Sequence, residues 1–201
     1  MSIRVSRLAK VGFLGLIIWL VSGCAGLPGK RELPAMPLLP PSALGQHWQL
    51  TQTVAFRHPA LPVEAMPTRL LAAWSVTAAR LDFAGLTATG QSLFKLGYDG
   101  ELFTEEYSPV LSVKLPGRDI IAQLQLAYWP LAAINTQLRG TPWRLVEAHQ
   151  SRQLYLGDEQ VLDIQFLPGA HVAPVIERIE ISNLLTQYRL SIQTLSREML
   201  P

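Results

Sequence analysis

The chain is poor in residues that build disulfides, metal sites and common catalytic motifs. It has one cysteine, Cys24, so no disulfide can form within the chain. Its four histidines, at 47, 58, 149 and 171, do not make the H-E-x-x-H spacing of a helical zinc site. No G-x-S-x-G motif or phosphate-binding glycine loop occurs either. We therefore expect a protein that is not an enzyme and that uses no metal or cofactor.

Acidic residues are also too dispersed to suggest general acid–base chemistry. The adjacent pairs Glu105-Glu106 and Asp158-Glu159 lie near predicted turns. Neighbours on a strand point to opposite faces of the sheet, so neither pair forms an obvious dyad. We interpret both pairs as parts of solvated loops.

The N-terminal apolar run is too short to span a membrane as a stable helix. It covers residues 11–21, which is 11 residues, whereas a spanning helix needs about 20. Three basic residues precede the run, and the small pair Ser22-Gly23 follows it. This order is typical of a secretory signal, so residues 1–23 are predicted to be a signal peptide.

The end of this segment suggests lipidation. The stretch from Val21 to Cys24 resembles the bacterial lipobox, in which the cysteine is lipidated and begins the mature chain. The resemblance implies a membrane anchor at Cys24, since several acyl chains hold a protein stably in a bilayer. Ala25, in place of an aspartate, favours the outer membrane, with the protein facing the periplasm. The alternative is an ordinary membrane anchor or a buried cysteine.

Removal of the leader would also change the charge balance. The whole chain has a formal net charge of +2, but without the leader it has 14 basic and 15 acidic residues. This balance predicts no nucleic-acid partner. Five prolines between residues 25 and 45 disfavour regular structure, so we predict a tether over 24–45 and one domain over 46–201.

The body of the chain is predicted to consist mainly of strands. Alternating apolar and polar residues mark them, and the pairs Asp99-Gly100 and Gly157-Asp158 indicate turns. A slip in the alternation near Ala79 and Arg80 indicates a bulge or tight turn. Strands are predicted at 47–56, 74–78, 92–98, 101–105, 143–148, 152–156, 160–167, 175–182 and 187–194, with Leu81 and Phe83 continuing the apolar set.

One segment, residues 117–138, breaks this strand pattern. Apolar residues recur at helical spacing over 120–128, where Asp119 is expected to cap the helix and Pro130 to end it. A second helical piece is predicted at 131–138. Together with the strands, this predicts a mainly β fold: a curved sheet or incomplete barrel plugged by a helix.

Large apolar side chains suit either a plain core or a cavity for a lipid-like ligand. Sequence alone does not separate these, because ligand cavities are themselves largely apolar. The candidate lining residues lie on one face of the predicted strands or on the helix. They are Trp74, Val76, Phe83, Phe94, Leu96, Tyr98, Ile121, Leu124, Trp129, Tyr188, Leu190 and Ile192.

Three stretches carry a family resemblance over most of residues 45–195. They are 85–100, 122–133 and the terminal Tyr188-x-Leu-x-Ile192. They resemble an uncharacterised family of small bacterial lipoproteins, domain of unknown function 3261. Members often accompany gene clusters for aryl polyene or related fatty-acid-like lipids.

That family is similar to the outer-membrane lipoprotein receptor LolB and its carrier LolA. The similarity implies an incomplete antiparallel β-barrel whose apolar concave face is covered by a helical lid or plug, here residues 117–138. It further implies an outer-membrane lipoprotein that binds acyl chains and assists their transfer or assembly. A LolA-like periplasmic carrier or a lipid exporter would be its partner.

One loop departs from the LolB pattern. LolB has a Pro-Leu-Gly loop whose exposed leucine helps to insert cargo into the membrane. Thr89 stands at that leucine's position, within the stretch 87–90. Because a hydroxyl resists transfer into hydrocarbon, a specialised lipid acceptor fits better than a general lipoprotein-inserting role.

Two other functions compete with lipid binding. The first is a structural or assembly lipoprotein that docks to an envelope complex, with a filled interior and no lipid cargo. The second is an enzyme acting on lipids, which would need a converging polar triad that the sequence does not reveal.

Overall fold

The structure is a computed structural model that describes residues 33–58, 69–111, 116–167 and 178–201. The predicted signal peptide, Cys24 and His171 lie outside the described residues. Residues from Met36 to Pro201 belong to one compact unit.

The described residues of this unit form ten strands and two α-helices. The strands are β1 (Trp48–Arg57), β2 (Arg69–Val76), β3 (Leu81–Leu86), β4 (Ser92–Tyr98), β5 (Phe103–Tyr107), β6 (Trp143–Ala148), β7 (Ser151–Leu156), β8 (Glu159–Leu167), β9 (Arg178–Asn183) and β10 (Arg189–Met199). The helices are α1 (Gly117–Tyr128) and α2 (Leu131–Leu138), and a short 3-10 helix covers Pro41–Leu44.

The strands form one antiparallel sheet in the order β5-β4-β3-β2-β1-β10-β9-β8-β7-β6. The first and last strands of the chain therefore pair at the centre of the sheet. The edge strands β5 and β6 are not paired with each other within the described part of the chain, so the sheet is not closed. The predicted mainly β class, an open barrel-like sheet with a helical insertion, is confirmed.

The sheet must curve strongly around α1, because that helix contacts strands far apart in the sheet order. Its first residue, Gly117, lies against Leu96 of β4, and its last turn accepts hydrogen bonds from Arg152 of β7. In a flat sheet these strands would lie about 34 Å apart, given strand spacings of about 4.8 Å. A 12-residue helix is only about 18 Å long.

Several turns follow directly from local chemistry. The slip near Arg80 is a tight turn, in which the backbone N–H of Thr77 donates to Arg80 O at 2.9 Å. The sequence predicts that the strand after Asp99 starts at residue 101. In the structure it starts at Phe103. The reason is that the Asp99 carboxylate accepts hydrogen bonds from the backbone N–H groups of Glu101 and Leu102 at 2.9 and 2.8 Å.

The helix prediction is confirmed in position but not in its cap. Helix α1 follows Pro116 as N-cap residue and has no side-chain cap bond, so the expected capping role of Asp119 is wrong. Asp119 lies inside the first turn instead. Pro130 ends α1 as predicted, because it fixes an extended break before α2 begins at Leu131.

The predicted tether is folded in its second half. Leu38, Leu39 and Leu44 are at most 5% exposed and belong to the hydrophobic core. Buried Gln125 of α1 accepts from the backbone N–H of Leu39 at 2.8 Å and donates to its carbonyl at 2.7 Å. The folded unit therefore starts at Met36, ten residues before the predicted domain boundary.

Candidate functional site

The structure buries most of the predicted lining residues in one core between the sheet and the helical segment. Leu190 is partly buried against this core, and Tyr188 is half-buried beside it. The other ten residues are each at most 6% exposed in one hydrophobic cluster; they are Trp74, Val76, Phe83, Phe94, Leu96, Tyr98, Ile121, Leu124, Trp129 and Ile192. Their burial is observed, and their role in lining a ligand cavity stays a prediction.

Aromatic rings organise this interior on the β1–β4 side. Tyr128 of α1 packs edge-on against Trp74 and Trp48, with ring centroids 5.1 and 6.2 Å apart. Phe94 stacks on Phe83, with ring centroids 5.8 Å apart, and covers Gly85, where an added Cβ would collide with the Phe94 ring. Gly85 is therefore needed for the ring to approach the sheet this closely.

Helix α1 is a plug rather than a surface lid. Its residues from 121 to 127, apart from half-buried Gln123, are buried on every side of the helix. A helix that is apolar on all sides belongs in a core. Tyr128 ties the helix to the sheet, and Gln125, one turn earlier, ties it to the backbone of Leu39. Any ligand that replaces α1 must therefore also break the bonds to the N-terminal segment.

A small polar cluster lies within the apolar interior. The Gln52 amide, 1% exposed, donates to Tyr128 OH at 2.6 Å and to Thr194 Oγ1 at 3.1 Å. Its carbonyl oxygen accepts from the indole N–H of Trp74 at 3.0 Å. These bonds satisfy the amide and tie α1 to β1, β2 and β10.

In the middle of α1, Gln123 donates to Tyr188 OH at 2.6 Å. Burial raises the pKa of Tyr188 above its ordinary value, whereas its hydrogen bonds to Asn183 and Gln123 act in the opposite direction. Tyr188 also packs on Phe56, with ring centroids 5.8 Å apart. The bond between Gln123 and Tyr188 therefore holds the middle of α1 against the start of β10.

Arg152 of β7 holds the other end of α1. Its Nη1 donates to the carbonyl oxygens of Leu126, Ala127 and Trp129 at 2.8, 3.2 and 2.9 Å. Its Nε donates to Glu147 at 3.1 Å. A cation placed at the C-terminal carbonyls of a helix is favourable, so Arg152 serves as the C-terminal clamp of the plug.

Sequence reasoning missed Arg152, Gln52 and Gln125. Gln52 stands at an inward position between Leu50 and Val54, so strand alternation alone could have placed it inside. Arg152 likewise shares the face of Leu154. Gln125 carried no such signal, because its partner is the backbone of a distant segment.

The acidic pairs are exposed, but only Asp158 lies in a turn, because Glu159 begins β8 and the other pair lies on a strand. Glu105 and Glu106 lie on edge strand β5, opposite Leu96 and Lys95. Charges on an edge strand discourage pairing with another sheet. Asp158 lies in the turn before β8, as predicted.

Among the described residues, no group of three or more histidine, cysteine, aspartate or glutamate side chains could hold a metal ion. Within the same ranges, neither helix is both long and apolar enough to cross a membrane.

Comparison with known proteins gives a family but no activity. No curated protein matches the chain. A family model described as "Protein of unknown function (DUF3261)" matches residues 49–196, which include all ten strands and both helices apart from the ends of β1 and β10. The match covers well over half of the chain, and the chain therefore belongs to the DUF3261 family.

Proposed function

We propose that this protein binds the acyl chain of a lipid on the concave apolar face of its sheet and assists lipid transfer or assembly at the outer membrane. The observation that carries the proposal is an open sheet whose apolar face wraps around the buried helix α1. The resemblance to LolB and LolA supports it by analogy of fold. No covalent chemistry is required for such a role.

The unclosed edge provides a route by which the interior could be exchanged. Helices α1 and α2 connect β5 to β6, the two edge strands that do not pair with each other in the described chain. Displacing α1 breaks no sheet hydrogen bond. It breaks side-chain bonds from Gln52, Gln123 and Arg152, each of which joins the helix to the sheet.

A ligand would have to compensate for the apolar contacts of α1. Burial of apolar surface contributes about 25 cal/mol per Å², or about 0.8 kcal/mol per methylene. Burial of an acyl chain of ordinary length therefore contributes a stabilisation comparable to that of several buried leucine-sized side chains. Because the apolar stabilisation from helix and acyl chain is comparable, exchange between the two is favoured over a permanently empty cavity.

Anchoring completes the proposal. We propose that residues 1–23 are a signal peptide and that lipidated Cys24 holds the protein in the outer membrane, facing the periplasm. The motif from Val21 to Cys24 supports this assignment. Aryl polyene-type lipids are the proposed cargo class, with a LolA-like carrier or a lipid exporter as the protein partner.

Photocrosslinking of the full chain in cells tests the interior. A benzophenone amino acid replaces Phe103, which packs against the core at edge strand β5. The matched control places it at the neighbouring Leu102, which is 61% exposed. We expect lipid adducts, identified by mass spectrometry, at position 103 and few at position 102.

Equal adducts at both positions would mean contact with bulk membrane rather than binding inside the sheet. Absence of adducts at position 103 would contradict the lipid-binding proposal. A protein adduct at position 102 together with no lipid at 103 would favour docking to an envelope complex. That alternative has one supporting observation, the exposed side chains Leu102 and Val110 at the two ends of β5.

A further inference from the structure

Three exposed arginines meet on the outer face of the sheet where β1 ends. The register places Arg57 directly opposite Arg189 across β1 and β10. Arg69 lies opposite Ala55, and is thus diagonal to Arg57 across β1 and β2. Inward positions of β1 are even-numbered, from Trp48 to Gln52, so these odd-numbered arginines point outward. We call Arg57, Arg69 and Arg189 the arginine patch.

The arginine patch is electrostatically unfavourable for the fold itself. Side chains directly opposite each other on antiparallel strands have Cβ atoms about 5 Å apart, and like charges at such positions destabilise a sheet. In the described residues, none of the three has an ion pair. Glu180, diagonal to Arg189 through Ser182, lies 3.6 Å from Arg178 instead. Among the described residues, the patch therefore carries positive charge that no ion pair compensates.

Along β1 and β10 the next outward residues carry no charge; they are Ala55, Thr53, Ser191 and Gln193. A guanidinium group presents paired N–H donors that match phosphate oxygens, which makes arginine the preferred residue for phosphate recognition. Three such groups on adjacent strands, on the outer face of the curved sheet, form an open surface, not a pocket. An open cationic surface fits an extended anionic layer better than a single small ion.

We propose that the arginine patch binds the phosphate headgroups of an anionic bilayer, so that this end of the sheet faces the membrane. The chain enters the folded unit at the other end, where Pro40 and Pro41 lie near Gly100 in the β4–β5 turn. The stretch between Cys24 and Met36 can span up to about 40 Å when extended, whereas β1 is about 33 Å long. An anchor at Cys24 is therefore long enough to permit this contact.

Energy transfer from tryptophan to lipid tests the proposal with the full chain. The chain is held in phosphatidylcholine vesicles by its own N-terminal region, and dansyl-labelled phosphatidylglycerol is added in increasing fraction. The patch variant carries Arg57→Gln, Arg69→Gln and Arg189→Gln. The control variant carries Lys95→Gln, Arg118→Gln and Arg139→Gln, which removes three exposed charges elsewhere.

We expect the patch variant to need an about fivefold or higher phosphatidylglycerol fraction for half-maximal transfer, since one arginine near an anionic surface contributes about that factor. The control variant should match the natural chain, and high salt should remove the difference. The patch variant should also unfold at a slightly higher temperature at low salt, which shows that it is folded. Equal behaviour of the two variants, or a natural chain without headgroup preference, would overturn the proposal. Neither result depends on whether the interior binds lipid.

Discussion

Replacing Arg152 by methionine should loosen the plug from the sheet. Methionine keeps the length and apolar stem of the side chain but removes every donor. The carbonyl oxygens of Leu126, Ala127 and Trp129 then lose a partner that lies 2.8–3.2 Å away. These carbonyls end a helix whose last turns are buried, so water replaces the guanidinium poorly.

The expected loss of stability follows from the geometry of one nitrogen of Arg152. Nη1 carries two protons and faces three carbonyl oxygens, so it makes two good hydrogen bonds, and the third carbonyl shares a proton with another. Hydrogen bonds to a charged group contribute about 1.5–3 kcal/mol each, and the Arg152 side chain is only 12% exposed. The pair with Glu147, which is 42% exposed, adds little. We expect Arg152→Met to lower the free energy of unfolding by about 3 kcal/mol.

Urea unfolding followed by tryptophan fluorescence measures this loss. Arg152→Lys, which keeps the charge but not the planar fork, should lose an intermediate amount. The control is Arg144→Met on neighbouring β6, whose guanidinium lies 4.4 Å from the Tyr155 ring centre and whose loss should cost less than about 1 kcal/mol. The reasoning is refuted if Arg152→Met costs no more than Arg144→Met.

Three further predictions concern other contacts of the interior. Gln125→Leu should cost about 2 kcal/mol and expose the segment around Leu39 to proteases, because it removes both amide bonds to that backbone. Gly85→Ala should cost about 1–3 kcal/mol in urea unfolding, because its Cβ would meet the Phe94 ring. Tyr188 should lose its contribution to stability as pH rises above about 10, since its folded pKa is raised by burial and the unfolded chain ionises first.

Each of these has a matched check. Gln193→Leu, an exposed change on β10, should leave protease sensitivity unchanged. Equal cleavage of the Gln125→Leu and Gln193→Leu variants would contradict the prediction for Gln125. The double variant Gly85→Ala with Phe94→Leu should lose less stability than the sum of the two single variants. Additive losses would contradict the prediction for Gly85. Tyr188→Phe should flatten the alkaline stability curve, and an unchanged curve would contradict the third.

Local patterns in the sequence were sufficient for elements that end in clear turn chemistry. Strands β4 and β6 and helix α2 have the predicted bounds. Turn residues flank them: Asp99-Gly100 follows β4, Pro142 precedes β6, and Pro130 and Gly140 lie around α2. Strand β10 extends five residues beyond the predicted end at Thr194. Its extension is set by pairing with β1 past a bulge near Thr51, which no local pattern reveals.

The difference between local patterns and long-range contacts also explains why the predicted tether is partly folded. Pro37 and Pro40 lie outside helices and strands, as local rules state, and Pro41 begins a short 3-10 helix, but none of the three prevents burial of the neighbouring leucines. Leu38 and Leu39 enter the core because Gln125, 86 residues from Leu39 along the chain, satisfies the backbone that would otherwise be unpaired. Predicting that contact requires the position of α1 in three dimensions.

The central pairing of β1 with β10 has a consequence for how the chain reaches its folded state. Strands β1–β5 and β6–β10 are each a series of neighbouring hairpins that can form from local contacts. The seam between Trp48 and Met199 joins positions at opposite ends of the sequence. Contacts of such long separation form slowly, because loop-closure entropy must be overcome first. A chain that emerges N-terminus first from a ribosome therefore cannot complete this sheet until β10 has emerged.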